Sequence, residues 1–289
     1  PWTVGKATSV FRNGGGDPTV SYGLAVGGVG TRAADNEPRP MFWDHSFLIN
    51  DGYFWRTWVN VRSTSDGTGT PFFNFRVFSD FSNSKMNAGY IAPGRLGLPD
   101  RDYYIEQDEK SKEIREQYKE YISWVLEYAG DDATTAKEEA QRILALETKL
   151  AEPKLDKVEQ RDARNLNNPK SIAELQKITP AVNWEAFFEN QGLAKEVDTV
   201  IVLQPKYMSA LQNVLTKTSL EDLKLLMRWA TLNSWSDKLT TDLEYANWEF
   251  YSKTLNGTPK QKPADERALA TVDGTLGEAV GKLYVDKVF

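Results

Sequence analysis

Residues 95–104 read Arg-Leu-Gly-Leu-Pro-Asp-Arg-Asp-Tyr-Tyr, RLGLPDRDYY. Pro99 fixes a turn, and an aspartate next to it can accept the backbone amides that follow. Arg101 is placed to pair across an interface, while Tyr103 and Tyr104 bring rings to bury and hydroxyls that must stay bonded. This reading makes the stretch a structural joint. A chemical reading would use Asp100 and Asp102 as acid and base, which requires two environments that push their pKa values apart. Arg101 lies between them and the turn exposes at least one, so the joint is preferred.

The joint also marks a change of grammar. Before it, Phe72–Phe78 (FFNFRVF) alternates as a strand does, and Ser82–Lys85 is turn-rich. After it, Ile114, Tyr118, Tyr121, Ile122, Val125, Leu126 and Ala129 recur every three or four residues, a helical stripe that Gly130 ends. Thr135 and Glu138 are spaced as a capping box for a second helix with Ala136, Ala140, Ile143, Leu144 and Leu150 on one face, stopped by Pro153. Asn183 caps a short helix at Trp184, ended near Gly192. Thr199–Leu203 is a β-branched strand, and Pro205 suits the first turn of a helix carrying Tyr207, Leu211 and Val214. Thr218 with Glu221 reads as another capping box, and Trp235–Leu255 as one long helix closed by Asn256-Gly257. Antiparallel helices with short loops make this part mainly α.

The front of the chain differs. Residues 1–71 hold 11 of the 20 glycines and balance six basic against six acidic residues, so the whole net charge of −6 resides in residues 72–289. Arg12–Pro18 is turn chemistry, and Trp55–Arg62 alternates bulky and polar residues. Gly23–Gly30 (GLAVGGVG) lacks the sixth-position glycine of a dinucleotide fingerprint, and flexible connection is the better reading. Two domains are expected: a loop-and-strand region at 1–71 and a helical domain at 72–289.

Composition narrows the chemistry. A net charge of −6 without a Lys/Arg block argues against a nucleic-acid partner. No run of 18 apolar residues is present to span a membrane, and Pro1-Trp2-Thr3 is not the start of a signal peptide. There is no cysteine, and His45 is the only histidine, so neither a thiolate site nor a His-x-x-x-His zinc pair can be built. His45 adjoins Asp44 and Ser46, but neighbouring residues seldom face one another and no nucleophile elbow is present. A hydrogen-bonded structural histidine is expected. Glu138, Glu139, Glu147 and Glu152 read as solvated faces or ion pairs, and Asn256-Gly257-Thr258 as a chance sequon. No catalytic, cofactor-binding or metal-binding residue is assigned.

From about Phe72 to Phe289 the chain resembles the neprilysin-like M13 zinc metallopeptidases, especially bacterial PepO-type members. The resemblance is carried in order by FFNFRV with Asp80 and Asn83–Asn87, by LGLPDRDYY at 96–104, and by ILALETKLA at 143–151. It continues through Val182-Asn183-Trp184, Gln204–Tyr207, Trp248–Tyr251 and Leu276–Val285 (LGEAVGKLYV). It implies a multi-helix lobe capping a cavity, which excludes folded proteins and admits peptides. It further implies zinc in the complete enzyme, held on an H-E-x-x-H helix and a later glutamate that this chain does not contain. The implied partners are a catalytic half, on the same precursor or another chain, and peptide substrates. The implied place is the periplasm or the outside of the cell, with a lipid anchor through a segment not present here as one option. The alternative is a non-enzymatic binding or assembly protein that reuses the lobe, with Phe42, Trp43, Tyr53, Phe54, Trp55 and Trp58 as its contact surface.

Overall fold

A computed structural model describes residues 70–288 except 192 and 194–196, together with the backbone of four short strands nearer the N-terminus. Those are β1 (Gly23–Leu24), β2 (Val29–Thr31), β3 (Pro38–Pro40) and β4 (Phe47–Leu48), paired antiparallel as β1 with β4 and β2 with β3. Two of them touch the glycine run that reads as a flexible connection: Gly23 and Leu24 belong to β1, Val29 and Gly30 to β2. His45, the alternation at Trp55–Arg62 and the six aromatics of the alternative contact surface lie outside the described residues.

The rest is mainly helical around a small mixed sheet. Strands β5 (Phe73–Ser79) and β6 (Asn87–Pro93) form an antiparallel hairpin with Phe75 opposite Ile91. β7 (Pro169–Ser171) and β8 (Thr199–Val202) complete the order β5-β6-β8-β7. β6 and β8 run parallel, with Tyr90 beside Ile201, and parallel neighbours need a long crossover. That crossover contains the joint and most of the helices.

The first helices are α1 (Asp102–Ile105), α2 (Glu109–Tyr128) and α3 (Ala133–Ala151). Asp108 caps α2 by accepting the Ser111 amide. The expected stripe is buried from Ile114 to Leu126. Gly130, at φ +110°, ends the helix: its amide bonds to the Glu127 carbonyl and the Asp131 amide to the Leu126 carbonyl, a pattern that closes orphaned carbonyls and needs a left-handed residue. The cap of α3 is Asp132, whose carboxylate accepts the Thr134 and Thr135 amides. The box expected from Thr135 and Glu138 starts three residues too late, because the nearer carboxylate reaches the amides first.

Next come α4 (Ala163–Leu166), α5 (Ile172–Ile178), α6 (Trp184–Asn190), α7 (Pro205–Lys217) and α8 (Leu220–Trp235). A capping box of Ser171 and Glu174 starts α5, and Asn183 caps α6 as expected. Pro205 opens α7 at a position with no amide to lose. Ser219, not Thr218, caps α8, accepting the Asp222 amide while donating to its carboxylate. Thr218 is used up as the C-cap of α7. Trp184, Phe187 and Phe188 of α6 pack on the sheet, with the Phe73 ring 4.9 Å from that of Trp184 and the Phe75 ring 5.4 Å from that of Phe188. Edge-to-face and tilted pairs of this kind add to the area they bury.

Residues 1–234 and 235–289 form two compact units. In the second, the single helix expected at Trp235–Leu255 is broken. Ser236–Lys238 is a 3₁₀ turn, Thr240 caps α9 (Thr241–Asn247), and Trp248–Thr254 is a π-helix. Helical periodicity runs through all three, but Thr240 offers the Leu243 amide a side-chain acceptor and starts a new helix there. The Asn256-Gly257 closure does form, with Gly257 at φ +68°. α10 (Ala264–Val288) follows, two helical stretches joined through a kink at Leu276 (φ −125°, ψ 32°), and no residue of it is buried.

Candidate functional site

RLGLPDRDYY folds around one carboxylate. Glu147 lies on the apolar face of α3, four residues after Ile143 and three before Leu150, and only 2% of it is exposed. Its Oε1 accepts the Gly97 amide at 3.0 Å, and its Oε2 accepts the hydroxyls of Tyr104 at 2.8 Å and Tyr118 at 2.9 Å. Both tyrosines are themselves satisfied: Leu98 N donates to Tyr104 at 2.7 Å and the Trp229 indole to Tyr118 at 2.9 Å. Each hydroxyl therefore has its proton free for Glu147. A Cβ on Gly97 would collide with the Tyr118 hydroxyl, so glycine is required at that approach. Burial raises the Glu147 pKa; the two tyrosines, the Gly97 amide and Lys154 pull the other way. The network consists entirely of donors, which favours the ionised form against the cost of burial.

Lys154 closes the joint from the far end of α3. Its ammonium donates to the Gly94 carbonyl at 2.7 Å and lies 5.8 Å from the centre of the Tyr207 ring. Burial lowers its pKa to about 8, against the pull of Glu147 and Asp100. Arg101 donates to the Lys154 carbonyl at 2.6 Å, as expected of an arginine that reaches across an interface. Burial pushes the Tyr207 phenol well above its ordinary range, and its hydroxyl donates to the Phe72 carbonyl at 2.6 Å. The joint thus ties β5, α2, α3, α7 and α8 together.

Asp100 accepts the Asp102 amide at 3.0 Å and lies 3.5 Å from Lys157, while Asp102 sits in the first turn of α1. Both belong to the turn and the start of α1, and each has a cation beside it, Lys157 for Asp100 and Arg101 for Asp102 at 3.9 Å. Tyr104 is buried as expected; Tyr103 is half-buried. Glu138 and Glu152 are exposed as expected, and Glu139 is 3.5 Å from Arg228, which also clasps Asp131 at 2.6 and 3.1 Å. Glu147 overturns its reading as a solvated face or ion pair. The available signal was its position on the same helical face as Ile143 and Leu150.

The donor chemistry present does not fit zinc. The sequence has one histidine and no cysteine, and among the described residues no three His, Asp or Glu side chains gather as a metal set. No helix among the described residues is long and apolar enough to cross a membrane.

The sequence model for the N-terminal region of peptidase family M13 matches residues 43–289. The chain belongs to peptidase family M13. The match starts upstream of residue 72, inside the region that composition sets apart. The chain is similar to endothelin-converting enzyme 1 of Bos taurus, 28% identical over 231 residues that make up 78% of this chain and 30% of that one. It is also 28% identical over 267 residues to endothelin-converting enzyme-like 1 of Rattus norvegicus, covering 91% and 33% of the two chains. The crystal structure of Mycobacterium tuberculosis zinc metalloprotease ZMP1 with an inhibitor superposes with a TM-score of 0.74 at 28% identity, over 81% of this chain and 35% of that one. PepO from Lactobacillus rhamnosis shares the fold, with a TM-score of 0.67 at 17% identity over 81% and 37%. The chain spans about a third of the length of these relatives.

Proposed function

We propose that the chain is the non-catalytic, substrate-gating lobe of a neprilysin-like zinc metalloendopeptidase, with the zinc-bearing half supplied outside these 289 residues. The observation that carries the reading is the surface of α10. This 25-residue helical segment, kinked at Leu276, buries no residue and exposes Leu269, Leu276 and Leu283, each by more than half. It also bears the family stretch Leu276–Val285. A family motif whose apolar side chains are exposed among the described residues is accounted for by a covering surface elsewhere in the enzyme. The shortage of soft donors supports the same division of labour.

On this reading residues 72–289 form the lobe and residues 1–71 a separate front region. The substrates are peptides, the complete enzyme binds zinc, and it works in the periplasm or outside the cell. The lobe walls the cavity and limits what enters, while the other half hydrolyses the bond with metal-activated water.

The test is complementation. The purified chain should neither cleave short peptides nor bind stoichiometric zinc, and adding a C-terminal half with an H-E-x-x-H helix should restore cleavage. Nanomolar zinc binding by the 289 residues alone would contradict the proposal, as would complementation that never yields activity.

A further inference from the structure

A cleft of about 370 Å³ opens between the β5–β6 hairpin and the starts of β7 and β8. That is a size suited to a small ligand or a short peptide segment. Its lining includes Val77, Asn87, Asn167, Thr199 and Ile201. Among the described residues, the side chains of Asn87, Asn167 and Thr199 make no hydrogen bond or ion pair. In the joint, by contrast, the buried polar groups around Glu147 are matched to partners. Asp80 is the only charged residue among the described lining. Its Oδ1 is engaged by the Ser82 and Asn83 amides at 2.6 and 3.2 Å, so it serves the hairpin turn.

An asparagine amide carries two donors and an acceptor, the complement of a peptide group's acceptor and donor. Two such amides and a hydroxyl share the cleft's lining with Val77, half exposed, and Ile201, buried at its base with 4% exposed. We propose that this cleft binds a short, uncharged, extended peptide segment, with Asn87 and Asn167 pairing to its backbone and Val77 and Ile201 contacting its side chains. The choice of a peptide rests on the peptidase reading; the hydrogen-bonding pattern rests on the cleft alone. Affinity should be weak, because few groups contact the ligand and the cleft is open.

The probe is acetyl-Ala-Leu-Ala-amide, titrated into the ¹⁵N-labelled 289-residue chain and followed by NMR. Saturable shifts are expected at the Asn87 and Asn167 side-chain amides and at the Gly89 and Thr199 backbone amides. Asn87→Ala and Asn167→Ala should each weaken binding at least fivefold while leaving the urea midpoint unchanged, since neither side chain bonds to another described residue. Thr199→Val, which keeps the shape and removes the hydroxyl, should weaken it about twofold to fivefold. Absence of saturable shifts at these positions would overturn the proposal, as would an affinity that both asparagine variants leave intact. If complementation fails but Asn87→Ala weakens binding, the cleft stands and the peptidase reading falls. If complementation succeeds and neither variant alters binding, the cleft alone falls.

Discussion

The joint at residues 95–104 and helix α10 both carry family motifs, yet chemically they are opposites. Around Glu147, polar groups are buried and matched donor to acceptor within the chain. Along α10, no residue is buried, and Leu269, Leu276 and Leu283 are each more than half exposed. A motif explained by its own contacts is a folding device; a motif left unexplained by them points to a partner. Substitutions in the two places should therefore damage different properties.

Removing the hub should do the most harm. Glu147→Ala strands two tyrosine hydroxyls and the Gly97 amide in a buried space and leaves a void, a loss of about 3–5 kcal/mol. For a chain of this size that lowers the melting temperature by roughly 10 °C. Glu147→Gln, which keeps the volume but turns an NH₂ toward donors, should cost about 1–3 kcal/mol. Urea unfolding of the pair measures both. Equal costs would mean that the hydrogen-bond polarity accounts for the loss and that the void adds nothing.

Lys154 provides a pH test of the same joint. Its folded pKa is about 8 against an ordinary 10.5. Between those values the unfolded chain holds a proton that the folded chain has released, so this residue's contribution to stability climbs as pH rises from 8 to 10.5. The full gain is at most about 3 kcal/mol. Lys154→Met should abolish that slope and show its largest advantage over wild type below pH 8. A slope that persists in the variant would place the titration elsewhere.

Ion pairs that fasten α8 to α3 should matter less. Arg142 meets Asp222 at 2.6 Å and Glu221 at 3.6 Å, and its side chain is 39% exposed. A double-mutant cycle of Arg142→Ala and Asp222→Asn should give a coupling of about 0.5–1 kcal/mol, falling with added salt. A larger, salt-insensitive coupling would mark this contact as a second hub.

Much of the fold was legible because its signals are local. The α2 stripe, the Asn183 cap and Pro205 at the first turn of α7 depend on neighbours within one or two helical turns. Reading slipped where two nearby residues compete for one role, as Asp132 and Thr135 do, or Ser219 and Thr218. Periodicity also could not show that Thr240 restarts a helix, since the apolar spacing continues through the break. Glu147 was misread because its meaning depends on Gly97 and Tyr104, 50 and 43 residues away. Charge on an apolar face was the clue, and only a third dimension says what satisfies it. The cleft was harder still: its lining comes from three separated segments, and no spacing rule joins Asn87 to Asn167.

The smallest effect on the chain itself should come from α10. Leu276 and Leu283 are 57% and 64% exposed, so Leu276→Glu and Leu283→Glu remove little buried area. Each should shift stability by no more than about 0.5 kcal/mol. Facing a covering surface, the same glutamates would have to be desolvated without a partner, which costs far more than the leucines contributed. The double variant should thus fold like wild type, lose complementation by a catalytic half, and regain part of it when a lysine is placed opposite. A double variant that unfolds would show that α10 already packs within its own unit. One that folds and complements normally would leave this helix face without a partner.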